Sequence, residues 1–516
     1  MLDLFSQIYD VLFEQERKQF HKWYDANCKG ELEKKLYDLV RKRKPLSTEE
    51  LAIKLYGDKT RTTAIRQLRQ SLTERLVEFS SQTIWPQSRP TKTKSSRSSI
   101  RRIVDMADLL IERRATPVAR HYLEYAYTNA KQARAWDFLE TIGKFKLEHA
   151  QALGISAHEA YDTWQKDNEQ YRSYMHVLHA RNVLAEQLTE YRRQGVVPDQ
   201  EQLILEFYGQ FEPNEAERAN PEFMLRICQM FRAVMLSSKD YWRLESFVRE
   251  VWIDLLSRNA FTVHDDGVRR EFLFMLAQAA FRNRSFEDAE DFLRQMQVLM
   301  VIPVQRNDPE YARMVSLRAT LYMYTDRRDE AVEQLRKALY GPEPVEYETE
   351  RWNMQLNLAV AYFCMKEFER ALDQLARLSQ PEDEYRETFG VEWIYKRRMI
   401  HVVILWESGA RADAEDLLEK LLTDFAPFLQ QEMYQRARVF MEFVLRGFRD
   451  PEIVRQHAFH LEVRDAHLGW GDREDIQAMF FFCWFRAWML GQPFYDTFLD
   501  RLNEQGPNWD FPFSLK

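Results

Sequence analysis

Glycine and proline are scarce in this chain, 15 and 17 of 516 residues. Both punctuate turns, so their scarcity argues against a turn-rich chain and for a helix-rich one. Cysteine is scarcer. Cys28, Cys228, Cys364 and Cys483 stand far apart, form no CxxC pair and sit in apolar helical contexts. That excludes a disulfide framework and predicts buried free thiols in a reducing compartment, hence a cytoplasmic protein. No apolar run reaches the roughly 18 residues a membrane span needs. The nearest, 479–490, is interrupted by Arg486. The opening MLDLFSQIYDVLFEQERKQF carries acidic residues and no small-residue cleavage pattern, so it reads as an amphipathic helix and not a signal peptide.

Motifs for chemistry are also lacking. No GxGxxG follows a strand, and GxxxxGK[ST], GxSxG and HExxH are absent. His457 and His460 share a helix side at i, i+3, with His467 or Glu462 as the further donor a metal would require. An ordinary surface pair is the preferred reading, as it is for His176 and His179. Neighbouring carboxylates such as Asp265 and Asp266 arise by chance among 81 acidic residues. No catalytic residue, metal site or cofactor is expected, and the chain does not read as an enzyme.

What the sequence does contain is one pattern written four times between about 272 and 425. A small or branched residue recurs 12 places apart in Ala277/Ala289, Ala319/Ala331, Ala359/Ala371 and Val402/Ala414. The second members fall 42, 40 and 43 residues apart. Leu293, Leu335, Leu375 and Leu418 follow four residues later, then Met296, Ala338, Leu378 and Leu421 after three more. Steps of four and three make one helix stripe. Small residues at paired positions let two helix axes approach closely. A period in this range marks stacked helical hairpins.

Two copies, RATLYMYTDRRDEAVEQLRKAL (318–339) and NLAVAYFCMKEFERALDQL (357–375), resemble tetratricopeptide repeats. The matching residues include Ala319, Tyr322, Ala331 and Ala338, and Leu358, Ala359, Tyr362, Phe368 and Ala371. The period here, near 40, departs from that family's 34. The resemblance implies an all-α solenoid, a right-handed superhelix of hairpins whose concave face binds partners. It places Gln278, Arg282, Arg313, Thr320, Asn353, Asn357 and Lys396 on that inward face. There, amide and cationic groups would hold a peptide backbone or a carboxylate.

Charge is uneven. Residues 29–102 hold 19 basic and 8 acidic residues, whereas the whole chain is −8. Within them LSTEELAIKLYGDKTRTTAIRQLRQSL (46–72) looks like a helix-turn-helix, similar to modules that precede tetratricopeptide-like domains in some bacterial transcriptional activators. The resemblance would send Arg61, Thr62, Arg66 and Arg69 to nucleic acid, although no β-hairpin wing follows Phe79. The boundaries read as a helical N-terminal unit (1–85), a basic Ser-rich linker (86–102), hairpins with long helices (103–260), the repeats (261–425), and C-terminal hairpins with an aromatic capping helix (426–516). The long helices within 144–193 and the aromatic segment 478–491 are also where self-association would occur. The expected function is an adaptor that binds a protein or peptide segment on the repeat surface. The alternative is a transcriptional regulator whose N-terminal unit binds DNA.

Overall fold

Among the described residues every regular element is a helix. The structure is a computed structural model. It describes residues 9, 14–28, 30–41, 47–79, 104–105, 107–108, 110–112, 114–132, 135–208, 213–263, 265–300, 309–342, 344–466 and 475–503. The expected linker 86–102, the stretch that follows Phe79 and His467 lie outside them. No described helix is long and apolar enough to cross a membrane. The chain divides into two compact units, 1–168 and 169–516. Each is described by itself, with helices of eight or more residues numbered.

In the first unit, α1 (Glu14–Asn27), α2 (Glu31–Arg41), α3 (Thr48–Tyr56) and α4 (Thr62–Phe79) share one apolar core, including Phe20, Tyr24, Tyr37, Leu51, Ile65, Leu72 and Phe79. Local chemistry fixes α3 at both ends. The Ser47 hydroxyl accepts from the Glu50 amide at 3.1 Å, and the Glu50 carboxylate accepts from the Ser47 amide at 2.7 Å. Gly57 ends the helix at φ 72°, a conformation that suits glycine. Next come α5 (Thr116–Gln132), α6 (Trp136–Glu148) and the start of α7 (Ala157–Gln194), the last running across the unit boundary.

The second unit is built of hairpins. They are α8 (Pro221–Ser238) with α9 (Tyr241–Ser257), α10 (Asp266–Arg282) with α11 (Phe286–Val298), and α12 (Pro309–Tyr324) with α13 (Arg328–Tyr340). After these come α14 (Glu348–Cys364) with α15 (Phe368–Ala376), the short α16 (Glu382–Phe389), and α17 (Val391–Ser408) with α18 (Arg411–Asp424). All five turns repeat one device. Lys239, Arg284, Asp326, Lys366 and Gly409 take left-handed φ of 60°, 65°, 58°, 62° and 91°. The next amide reaches five residues back in each: Asp240 to Met235, Ser285 to Ala280, Arg327 to Tyr322, Glu367 to Tyr362 and Ala410 to Leu405, all between 2.8 and 3.0 Å. Five residues after each turn residue stand Leu244, Ala289, Ala331, Ala371 and Ala414, all with 0% exposure. The four helical hairpins expected from sequence are therefore present, and α8–α9 is a fifth hairpin in the same register.

The last helices are α19 (Gln435–Arg449), α20 (His457–Asp465), α21 (Ile476–Leu490) and α22 (Phe494–Asn503). The aromatic α21 is buried, as its composition demands, but it reaches back along several hairpins and does not cover only the last. Trp484 Nε1 donates to Glu407 at 2.8 Å, and Phe480 lies 5.9 Å from Phe363. From α22, the Tyr495 hydroxyl donates to the Met323 carbonyl at 2.6 Å, and Phe498 meets Tyr324. A helix aromatic all round needs cover on every face, which one neighbouring hairpin cannot supply. The end of α7 also returns to later hairpins. The Val197 amide donates to Gln431 at 2.8 Å, and a Cβ on Gly390 would stand 2.6 Å from the Arg192 carbonyl.

Four of the five turns place a side chain where glycine is favoured, at a cost of roughly 1 kcal/mol. Lys366→Gly is expected to raise the melting temperature slightly, and Lys366→Val to lower it. A fall with glycine would contradict the turn.

Candidate functional site

The first helices of the hairpins form an inner layer. No residue of α8 or α10 is exposed, nor any of α12 after Pro309, whereas the second helices keep exposed faces. Thirteen residues before each turn residue (226 before 239, 271 before 284, and onward) stand Arg226, Glu271, Arg313, Asn353 and Lys396, all half-buried. A polar row in an enclosed layer has to find partners, and it does. Arg313 Nη2 donates to Glu271 at 2.6 Å. Trp393 Nε1 donates to Asn353 at 3.0 Å. Beside the row, Asn357 donates to Ser316 and Thr320 at 3.2 and 3.3 Å.

Towards α8 the cations are held by amides. Arg181 of α7 and Arg226 of α8 both donate to Gln229 Oε1 at 3.1 Å. Burial, then the charge of Arg226, lowers the Arg181 pKa. Arg226 also pairs with one carboxylate, donating to Glu222 at 3.4 Å. Arg232 donates twice to Gln278, at 3.0 and 2.7 Å. Neutral amides fix a guanidinium without cancelling its charge.

Towards α17 the charges pair. Lys239 and Lys396 lie 3.0 and 2.8 Å from Glu392 Oε1, and the Tyr434 hydroxyl donates to Glu392 Oε2 at 2.8 Å. Arg282 donates to Asp475 at 2.6 Å. Lys396 donates to Gln477 at 3.0 Å and stands 4.0 Å from Asp475. Burial would push both carboxyls up. For Glu392 it is outweighed by Lys396 and Lys239, and for Asp475 by Arg282, Lys396 and Lys239, so both titrate below the usual carboxylate range.

The residues assigned to a partner-binding face thus divide. Gln278, Arg313, Thr320, Asn353 and Asn357 link neighbouring first helices or lock a ring. Arg282 and Lys396 enter the charge cluster. Sequence reasoning did not single out Arg181, Gln229, Arg232, Lys239, Glu392 or Asp475. Only Arg226, through its register, carried a signal there. In the first unit Arg61 and Arg66 are exposed, while Thr62 and Arg69 are half-buried. Arg69 Nη1 donates to Thr48 at 3.3 Å, so it ties α4 to α3. Of the histidine pair, His457 is exposed, whereas His460 is buried with Nε2 2.6 Å from the Val454 carbonyl. Among the described residues no group of metal-ligating side chains converges.

Asp475→Asn retains a side chain able to cap α21 but leaves Arg282 without its counter-charge. Breaking such a pair costs about 3–5 kcal/mol, read as a lowered melting temperature. A carboxyl with a depressed folded pKa stabilises fully above its unfolded value, about 4, and that contribution is lost as pH falls below it. Stability should therefore decline below about pH 4, less steeply in Asp475→Asn. An unchanged melt, or an identical acid limb, would contradict the pairing.

No model of a known protein family matches the chain, and no curated protein matches it by sequence.

Proposed function

We propose that the protein is a non-enzymatic, tetratricopeptide-like scaffold whose inner helix layer binds an acidic segment of a partner protein. The observation that supports this most is the convergence of Arg181 and Arg226 on one neutral amide oxygen of Gln229. Two like charges are held together there, with one carboxylate, Glu222, paired to Arg226 at 3.4 Å. An incoming Asp or Glu side chain would relieve their repulsion through charge-assisted hydrogen bonds. Labelled, unstructured peptides rich in Asp and Glu should bind in fluorescence anisotropy, and matched Lys-rich peptides should not. Arg181→Gln with Arg226→Gln should weaken binding about tenfold, the scale of one such bond. Equal binding of both peptides, or indifference to the double change, would refute the proposal.

A second reading is favoured by one feature. The helices α3 and α4 join through the 57–61 turn and leave Arg61 and Arg66 exposed, so they could meet DNA. Phosphate contacts would dominate, and binding would weaken steeply with salt. The adaptor reading expects at most weak binding of a duplex pool, gone at physiological salt. Tight binding there, lost in Arg61→Ala with Arg66→Ala, would establish the regulator instead. Arg69 is unsuited to this test because its change would also loosen α3.

A further inference from the structure

A cavity of about 340 Å³ opens between the end of α7, the 195–198 turn, α8, and the segments around 389–392 and 428–434. That volume lies near the lower end of the roughly 300–1,000 Å³ range of small-molecule sites. Its wall is mostly apolar, with Leu188, Leu236, Phe389 and Phe428. Its charged wall residues are Arg192, Arg232 and Glu392.

Glu392 is already engaged by Lys239, Lys396 and Tyr434. The two arginines differ. Among the described residues Arg232 donates only to the Gln278 amide oxygen, and it lies 5.9 Å from the Phe274 ring. Arg192, exposed at the rim, donates to the Leu188 carbonyl at 3.1 Å and the Thr189 hydroxyl at 3.0 Å. Among the described residues neither forms an ion pair. Burial, then the charge of Arg313, pushes the Arg232 pKa down to about 10, opposed by Glu271. Glu271 is itself held by Arg313. Around the cavity and its adjoining cluster stand Arg192, Arg232, Lys239, Lys396 and Arg282 against Glu392 and Asp475. An inward guanidinium without a counter-charge is costly. A planar carboxylate would match its donor geometry.

We infer that this cavity binds a small organic anion, a single carboxylate on an apolar body, with Arg232 and Arg192 meeting the carboxylate and the Leu–Phe wall the body. The site goes beyond the acidic-segment reading and uses different arginines. The apolar wall disfavours a purely ionic ligand. Phosphate is such a ligand, since it offers no apolar body to the Leu–Phe wall.

The test uses the full chain with sodium octanoate, octylamine and inorganic phosphate, followed by calorimetry and thermal melts. Octanoate should bind and raise the melting temperature; octylamine and phosphate should do neither. Arg192→Gln should weaken octanoate about tenfold, the loss of one charge-assisted bond, and Arg232→Gln should abolish binding. Should Arg232→Gln fail to fold, Ala185→Trp decides, since Ala185 is an exposed wall residue whose enlargement blocks the entrance. Equal binding of octanoate and octylamine would reveal only a greasy cavity. Equal binding of phosphate would reveal only an ion site. Either result, octanoate binding unmoved by Arg192→Gln and Ala185→Trp, or no octanoate binding by the folded protein, overturns the inference.

Discussion

Enclosure of the first helices is the constraint on which the second unit depends. Each lies without exposed residues except at its ends, so the polar groups along it must be satisfied within the molecule. Small residues at 277, 319 and 359 let each first helix meet its partner closely. The same geometry leaves a row of long polar side chains facing neighbouring first helices. Arg313 with Glu271 and Asn357 with Thr320 follow from that enclosure. So does the cluster of Lys239, Lys396, Arg282, Glu392 and Asp475, where charges distant in sequence must neutralise one another.

Neutralisation is uneven across the layer. Near α17, carboxylates meet the cations. Near α8, amides do most of this instead: Arg226 also pairs with Glu222, whereas among the described residues Arg181 and Arg232 meet only neutral acceptors and keep their charge in a low-dielectric setting. A charge held this way interacts more strongly with an incoming anion than a solvated surface charge would. That contrast separates the residues that build the layer from those available to a ligand, and it underlies both the acidic-segment and the small-anion proposals.

The sequence made the hairpins legible because their period is local. Ala289, Ala331, Ala371 and Ala414 repeat at near-constant spacing, and each stands five residues after a left-handed turn residue. The fifth hairpin was fainter, because Leu244 occupies the place of alanine and Arg232 stands where the other first helices carry a small or branched apolar residue. The charge cluster was not legible. Lys239 and Glu392 are far apart in the chain, as are Arg282 and Asp475, and no local pattern joins residues brought together only by stacking. Nor could sequence reveal that α21 and α22 turn back along the hairpins. An aromatic helix demands burial without saying against what.

The central claim is that the amide-held guanidiniums of the inner layer are the receptive part of the molecule. Hydrogen–deuterium exchange with and without an Asp- and Glu-rich peptide tests it most directly, since it reports which helices the ligand orders. The account predicts added protection across 177–188 and 221–230, around Arg181, Arg226 and Gln229, with 47–79 unchanged. Protection confined to 47–79, or to the exposed second helices, would contradict it.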